Sequence, residues 1–414
     1  MRWHTNTARS LWALSCLVAC GDNLPGPEVP DAPGTVDAGP DPGLAFFEMP
    51  MLPGYNHASE TVVAALGGRV VVLATHQAFP SADSFEYPTS DDDPDHPFRR
   101  IGFVTSADAG SSYSAPTPLV MAGRSDPVIG AALDGSFWAT ATDSNQTETD
   151  VLHSIDGATF TPLATTMIID KSWIAIDETR QAVWVGGFGV FTRIGFDGTV
   201  QAVHPQSNFG LASAFADNIG FHAMSDESYQ AFAWDGVNDI QFEGAQLSAG
   251  AQATIFTRVS AAMGTADGAT WIVRALHDNV SGSPIVARVR RLPDEGHDVP
   301  ISPAGTVGFL PAAALDADGR LHVAWYDSSG PFGELVYAHS ETSDLAGAYT
   351  QPIVVDGDAC PGNGWYPYSS DVEPFGGRRL REYIGIAVTG RRAIISWTHA
   401  PDPPSRIRIA HLDF

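Results

Sequence analysis

The chain has 414 residues, 48 acidic against 22 basic, and a formal net charge of −26. A polyanion is bound by clustered Lys and Arg that displace its counterions, so this balance excludes nucleic acid as a partner and disfavours docking of the body on anionic lipid. Apolar residues make up 44% of the sequence, enough for a sizeable core, and three cysteines are too few for a disulfide framework.

Arg2 and Arg9 precede a short apolar run from Leu11 to Ala19. The run is shorter than the roughly 20 residues that span a bilayer, and it ends in small residues, the layout of an export signal. Its end, Leu17-Val18-Ala19-Cys20-Gly21, resembles the bacterial lipoprotein box. That resemblance implies a signal peptide over 1–19 and a Cys20 acylated on sulfur as the first mature residue. An ordinary secretory peptide is the alternative, and Cys16, behind Ala13-Leu14-Ser15, fits the box less well. Residues 20–44 are dominated by Pro, Gly, Asp and Ala without apolar periodicity. Such a segment cannot bury enough surface to offset its ordering entropy and reads as a disordered tether. The expected location is the bacterial cell envelope, at the outer membrane or cell surface, with the membrane held through the lipid alone. Cys360 is then the one cysteine left in the body, in a Gly/Pro-rich stretch, and is read as incidental.

From residue 45 to 414 helical periodicity is nearly absent. Short runs of Val, Ile, Phe, Trp and Thr alternate with Gly, Asp, Asn and Ser, the all-β pattern. A unit of apolar strand, polar turn and apolar strand recurs from Thr61, Pro127, Trp173, Ala212, Ser260, Leu310 and Tyr383. The first strand of each pair is small and apolar, suited to a crowded centre. The second often carries a tryptophan, as at Trp138, Trp184, Trp271, Trp325 and Trp397. A further strand pair follows most members. Four strands per unit predict a β-propeller of four-stranded blades, seven blades favoured, with six left open if the stretch near 210–245 is a neighbour's edge. Arg406 to Phe414 reads as a closing strand, with residues 45–50 as its partner. Two long insertions interrupt the units, 80–98 and 357–380.

Ser106-Ala-Asp108-Ala-Gly110-Ser-Ser-Tyr113 resembles the Asp-box (BNR repeat) of sialidase-type propellers, and Ser154-Ile-Asp156-Gly157-Ala-Thr-Phe160 is a shortened version. The box is a turn between the outer two strands: Asp caps backbone N–H groups, Gly takes a positive φ and the aromatic packs inward. The resemblance implies a sialidase-like fold. A sialidase also needs three arginines for the substrate carboxylate, a Tyr nucleophile activated by Glu, and an acid or base. Arg258 and Arg381 lie near inner-strand starts and would contribute to such a triad. Glu382 and Tyr383 are adjacent, so on a strand they point to opposite faces and do not pair merely by being neighbours. The early Arg-Ile-Pro strand of that family is missing; Arg100-Ile101-Gly102 lacks the proline.

Inner strands of a propeller begin around the mouth of the central channel. The residues there by sequence are Asn56, His57, Glu60, Asp126, Asp170, Lys171, Asn208, Arg258, Arg381, Glu382 and Tyr383. This mixed polar ring suits a small polar or sugar ligand; satisfying strand ends and channel water is its plainer role. Lys171 is the one lysine among 22 basic residues. Asp91, Asp93 and Asp95 have the 1-3-5 spacing of a calcium loop, but His96 stands at the glycine position and Gly102 at the glutamate position. A solvated acidic loop is therefore expected over a Ca²⁺ site, and no cofactor is expected. Trp365, Tyr366 and Tyr368 cluster in the second insertion. The leading reading is a monomeric, lipid-anchored module that binds a glycan or envelope protein. The alternative is a sialidase-like glycoside hydrolase or lyase.

Overall fold

Seven antiparallel four-stranded sheets form the protein, and no described residue is helical. This computed structural model describes residue 44 and residues 46–414 except 84–97, 122–123, 143–147, 168–171, 188–189, 206–211, 216–217, 225–227, 235–238, 247–260, 267–268, 276–284, 291–296 and 363–382. All the described residues fall in one unit, Gly39–Phe414.

Strand β1 is Phe46–Glu48. Blade one follows as β2 (His57–Leu66), β3 (Arg69–Gln77), β4 (Arg99–Ser106) and β5 (Thr117–Pro118). Blade two is β6 (Ser125–Ala131), β7 (Phe137–Thr142), β8 (Thr149–Ser154) and β9 (Thr161–Thr166). Blade three is β10 (Trp173–Asp177), β11 (Ala182–Gly186), β12 (Val190–Gly195) and β13 (Val200–Pro205). Blade four is β14 (Ala212–Phe215), β15 (Asn218–Met224), β16 (Ser228–Trp234) and β17 (Asp239–Gln246). Blade five is β18 (Ala261–Ala266), β19 (Ala269–Ala275), β20 (Ile285–Arg290) and β21 (His297–Pro300). Blade six is β22 (Gly308–Leu315), β23 (Leu321–Asp327), β24 (Phe332–His339) and β25 (Ile353–Pro361). Blade seven is β26 (Gly385–Thr389), β27 (Arg392–His399) and β28 (Arg406–Asp413), completed by β1 in the order β1-β28-β27-β26. The stretch near 210–245 is thus a blade of its own, and the ring closes through strands from both ends of the fold, which removes two open sheet edges.

The tryptophans explain how the blades hold together. Trp138, Trp184 and Trp271 sit opposite Gly130, Ala175 and Gly264 on the inner strand, bulk facing a glycine or an alanine. All five repeat tryptophans are buried. Trp138 Nε1 donates to Ser136 Oγ at 3.0 Å, Trp184 Nε1 to Asp177 Oδ2 at 3.3 Å and Trp397 Nε1 to Asp356 Oδ2 at 2.9 Å. A buried indole N–H left without a partner would be destabilising, so each of these turn or strand residues fixes its blade's largest side chain.

Both Asp-boxes have the expected form. In the first, Asp108 Oδ1 accepts from Ser112 N at 2.9 Å, Ser106 Oγ accepts from Gly110 N at 2.9 Å, and Gly110 has φ +84. Hydrogen bonds from Ser112 and Ser106 hold the Asp108 carboxyl low, at about 2. In the second, Asp156 Oδ1 accepts from Ala158 N and Thr159 N at 2.8 Å each. Each box is fastened to the preceding blade by an arginine at the start of that blade's second strand. Arg392 Nη1 donates to Ala109 O at 3.1 Å, and Arg69 Nη1 donates to Ile155 O at 2.9 Å. Tyr113 of the first box stacks on Phe47 of β1, centroids 4.9 Å apart.

Two sequence assignments change. β25 runs to Pro361, so the second insertion begins later than residue 357. Cys360 lies in that strand, not in a loop. It is fully buried, and burial first of all raises its thiol pKa well above the ordinary range, against use as a nucleophile.

Candidate functional site at the channel mouth

The inner strands of blades one, two and six share a device at their leading ends. Pairing with the second strand slips between Ser59 and Val62, between Ser125 and Val128, and between Phe309 and Ala312. The displaced residues Glu60, Asp126 and Leu310 have φ of 53, 51 and 51. A non-glycine residue in this region costs on the order of 1 kcal/mol or more, so surrounding bonds must hold it there. β-Bulges re-aim side chains. Here they turn two carboxylates into one network.

Glu60 Oε2 accepts from Thr75 Oγ1 at 2.8 Å and from the backbone N–H of Asp126 at 3.0 Å, joining blade one to blade two. Asp126 Oδ2 accepts from Thr142 Oγ1 at 3.0 Å, and Asp126 O accepts from Ser172 Oγ of blade three, also at 3.0 Å. Tyr383, two residues before the first paired residue of β26, donates its hydroxyl to Asp126 Oδ1 at 3.0 Å. Its ring meets Trp173 of blade three edge-on at 5.4 Å. Blade seven neighbours blades six and one in the ring, so Tyr383 reaches across the mouth to blades two and three. Glu60, Asp126 and Tyr383 are 3%, 5% and 3% exposed, which makes the assembly a buried polar bridge at the top of the channel.

Around it, the root of the first insertion is clamped to the start of β2. Asn56 Nδ2 donates to Phe79 O and Phe79 N donates to Asn56 Oδ1, both at 2.9 Å. Phe79 packs edge-on against Phe98 at 5.3 Å. His57 is turned to this loop and to blade seven: its ring lies 4.4 Å from Phe79, and its Nδ1 accepts from Ser405 N at 3.2 Å. Burial lowers the His57 pKa, and backbone groups of Ser81 and Ala82 act against that. Tyr55 lies beside Arg100 and Arg124; burial raises its pKa and the two cations oppose the rise.

Of the residues singled out by sequence, the structure brings Glu60, Asp126 and Tyr383 together and bonds His57 elsewhere. Asp170, Lys171, Asn208, Arg258, Arg381, Glu382, the acidic loop residues Asp91, Asp93 and Asp95, and Cys20 lie outside the described residues. Among the described residues no group of three His, Cys, Asp or Glu is placed to hold a metal ion. Sequence reading missed Thr75, Thr142, Ser172 and Trp173 as members of the site. The repeated Ser-acid pair Ser59-Glu60 and Ser125-Asp126 is visible in the sequence, but that Thr75 stands opposite Ser59 and Thr142 opposite Ser125 follows only from the strand registers.

The carboxylates and the tyrosine hydroxyl are buried and bonded to one another, so a polyol exchanges hydrogen bonds with them only by displacing these partners, while the partly exposed Trp173 offers an indole to stack on a sugar face. The couple of Tyr383 and Asp126 can activate a phenol oxygen.

No protein-family model matches the sequence, and no curated protein matches it. Among solved structures, the chain is similar to the β-propeller domain of the trilobed protease from Pyrococcus furiosus, at 7% identity and TM-score 0.49, covering 87% of this chain and 96% of that one. It is similar to a protein of unknown function from Dyadobacter fermentans, at 15% identity and TM-score 0.48, covering 90% and 100%. It is also similar to the NanB sialidase from Streptococcus pneumoniae, at 10% identity and TM-score 0.45, covering 89% and 70%. The propeller assignment rests on the seven sheets themselves.

Proposed function

We propose that this protein is an exported, lipid-anchored propeller of the bacterial cell envelope that binds a glycan at the mouth of its channel. The observation behind this reading is the bridge of Tyr383, Asp126 and Glu60, built from separate blades and held on left-handed bulges. Propeller packing alone does not call for two carboxylates at that place, because burying them is unfavourable unless every bond is supplied. The test is a glycan-array screen of the wild type beside Asp126→Asn and Tyr383→Phe, each checked for folding by thermal melting. Binding by the wild type, weakened tenfold or more in the folded variants, about 1.4 kcal/mol, supports the reading. Undiminished binding in both variants overturns the mouth as the site.

The second reading is a sialidase-like glycoside hydrolase, favoured by the Tyr383 hydroxyl bonded to a carboxylate. In that chemistry Tyr383 Oη attacks the anomeric carbon as its proton passes to Asp126, the glycosidic C–O bond breaks and the aglycone leaves as an alcohol with a proton from solvent; water then attacks the glycosyl-tyrosine, releasing the sugar and taking the tyrosine back to its hydroxyl form with the proton from Asp126. A hydrolysis screen run on the same glycans separates the two: turnover lost in Tyr383→Phe selects the hydrolase, and binding without turnover selects the module.

The anchor is assigned to Cys20, because a thiol accepts the lipid in the box that Leu17-Val18-Ala19-Cys20 resembles. Metabolic labelling with a fatty acid is expected to mark the wild type and not Cys20→Ser; equal label in both removes the anchor.

A further inference from the structure

Solvent reaches one member of the assembly at the mouth far more than the others. Glu60, Asp126 and Tyr383 are buried, whereas Trp173 is partly exposed. Trp173 also breaks the pattern of the blades. It is the first residue of β10, at the mouth, and none of the other six inner strands carries a tryptophan. Those strands crowd around one channel and are built mainly from small residues.

Packing does not account for this side chain. Its indole N–H is buried and meets no acceptor among the described residues, which is unfavourable. Trp271 and Trp325 lack an acceptor too, but burial of almost the whole side chain offsets that loss. Trp173 has less of this offset, because part of it stays in solvent. The neighbouring groups nevertheless hold it firmly. Ser172, just before it, donates its Oγ to Asp126 O at 3.0 Å. Tyr383, bonded to Asp126 through its hydroxyl, meets the indole edge-on at 5.4 Å. A large aromatic fixed in advance loses little freedom when a second ring lies on it, so it makes an efficient contact.

We propose that Trp173 is the residue that touches the glycan, taking the C–H face of a pyranose on its indole, and that Glu60, Asp126 and Tyr383 are positioning residues that hold it there. This rests on the reading of the mouth as a glycan site and narrows the ligand to six-membered-ring sugars. A pyranose chair presents a rigid patch of C–H groups that an aromatic face covers, and a furanose or an open-chain polyol has no such fixed patch.

The probe is the pyranose oligosaccharide with the strongest wild-type signal on the glycan array. Trp173→Phe keeps an aromatic face and removes the unpartnered N–H; Trp173→Ala removes the face. Trp173→Phe is expected to melt with the wild type and bind more weakly, and Trp173→Ala to lose about tenfold or more in affinity. Acrylamide quenching of fluorescence separates contact from a remote effect. The quenching that the wild type shows in excess of Trp173→Phe is expected to vanish once the probe saturates the protein. Unchanged affinity in Trp173→Ala, persistent excess quenching at saturation, or a marked fall in the melting temperature of Trp173→Phe overturns Trp173 as the contact. If Asp126→Asn and Tyr383→Phe still weaken binding in that case, the mouth stands without it. An array that returns only furanose glycans overturns the pyranose and leaves the glycan reading standing; one on which the wild type binds nothing overturns both.

Discussion

Tyr326 shows how a single buried hydroxyl supports the joint between blades six and seven. It donates to Thr398 O at 2.8 Å and accepts from Thr398 N at 3.0 Å, with no exposure of its own. Tyr326→Phe strips both bonds from a buried backbone unit and is expected to lower stability by about 1–3 kcal/mol in denaturant unfolding; no shift in the midpoint would refute that account. His76 and His322 are a second case. Burial holds both at about 4, with Asp316 opposing the shift at His322. Both are neutral when folded, and the unfolded chain takes up protons first. Their contribution is therefore complete above about pH 6.5 and is lost as pH falls through about 4, up to about 3 kcal/mol each. Unfolding free energy should fall over that window, with a shallower slope in His76→Gln. Equal slopes would show that His76 is not a source of the acid sensitivity.

At the scale of the strand, the inner ring depends on missing side chains. A Cβ on Gly385 would sit 2.4 Å from Ser396 Oγ and 2.6 Å from the backbone N of Val63 in the neighbouring blade. At Gly130 the nearest atoms are side-chain carbons of Ile176 and Ile174, at 3.0 to 3.2 Å. Backbone cannot yield as a side chain can, so Gly385→Ala is expected to cost about 1–3 kcal/mol and Gly130→Ala distinctly less. Melting both variants ranks them. Much of this level was legible in the sequence, because hairpins are local: the small first strands, the second-strand tryptophans, the Asp-box turns and the closing strand all leave short-range patterns. The bulges at Glu60 and Asp126 were not legible, since an extra residue in a ladder is visible only once the partner register is known. The bond from Tyr383 to Asp126 joins residues 257 apart. No periodicity encodes such a contact; it follows from closing the ring.

At the scale of the molecule, three residues complete the seventh blade. Phe46 lies 4.2 Å from the Arg408 guanidinium and meets Trp397 edge-on at 6.3 Å, while Glu48 pairs with Arg406. Deleting Phe46–Glu48 should lower the melting temperature and leave β28 as a bare edge prone to pairing between molecules. Size-exclusion chromatography should then show more higher-order species than the intact chain does; an unchanged profile with an unchanged melt would remove β1 as the closing element. The same arrangement sets an order of events in the life of the chain. β1 leaves the ribosome about 360 residues before β28 does. At about 5–20 residues per second that is a wait of roughly 20–70 s. Until then the first-made strand has no mate, and the circle cannot be completed by any portion of the polypeptide already delivered. Blades one to six can assemble as they arrive, but the ring closes only once β28 has been delivered to β1.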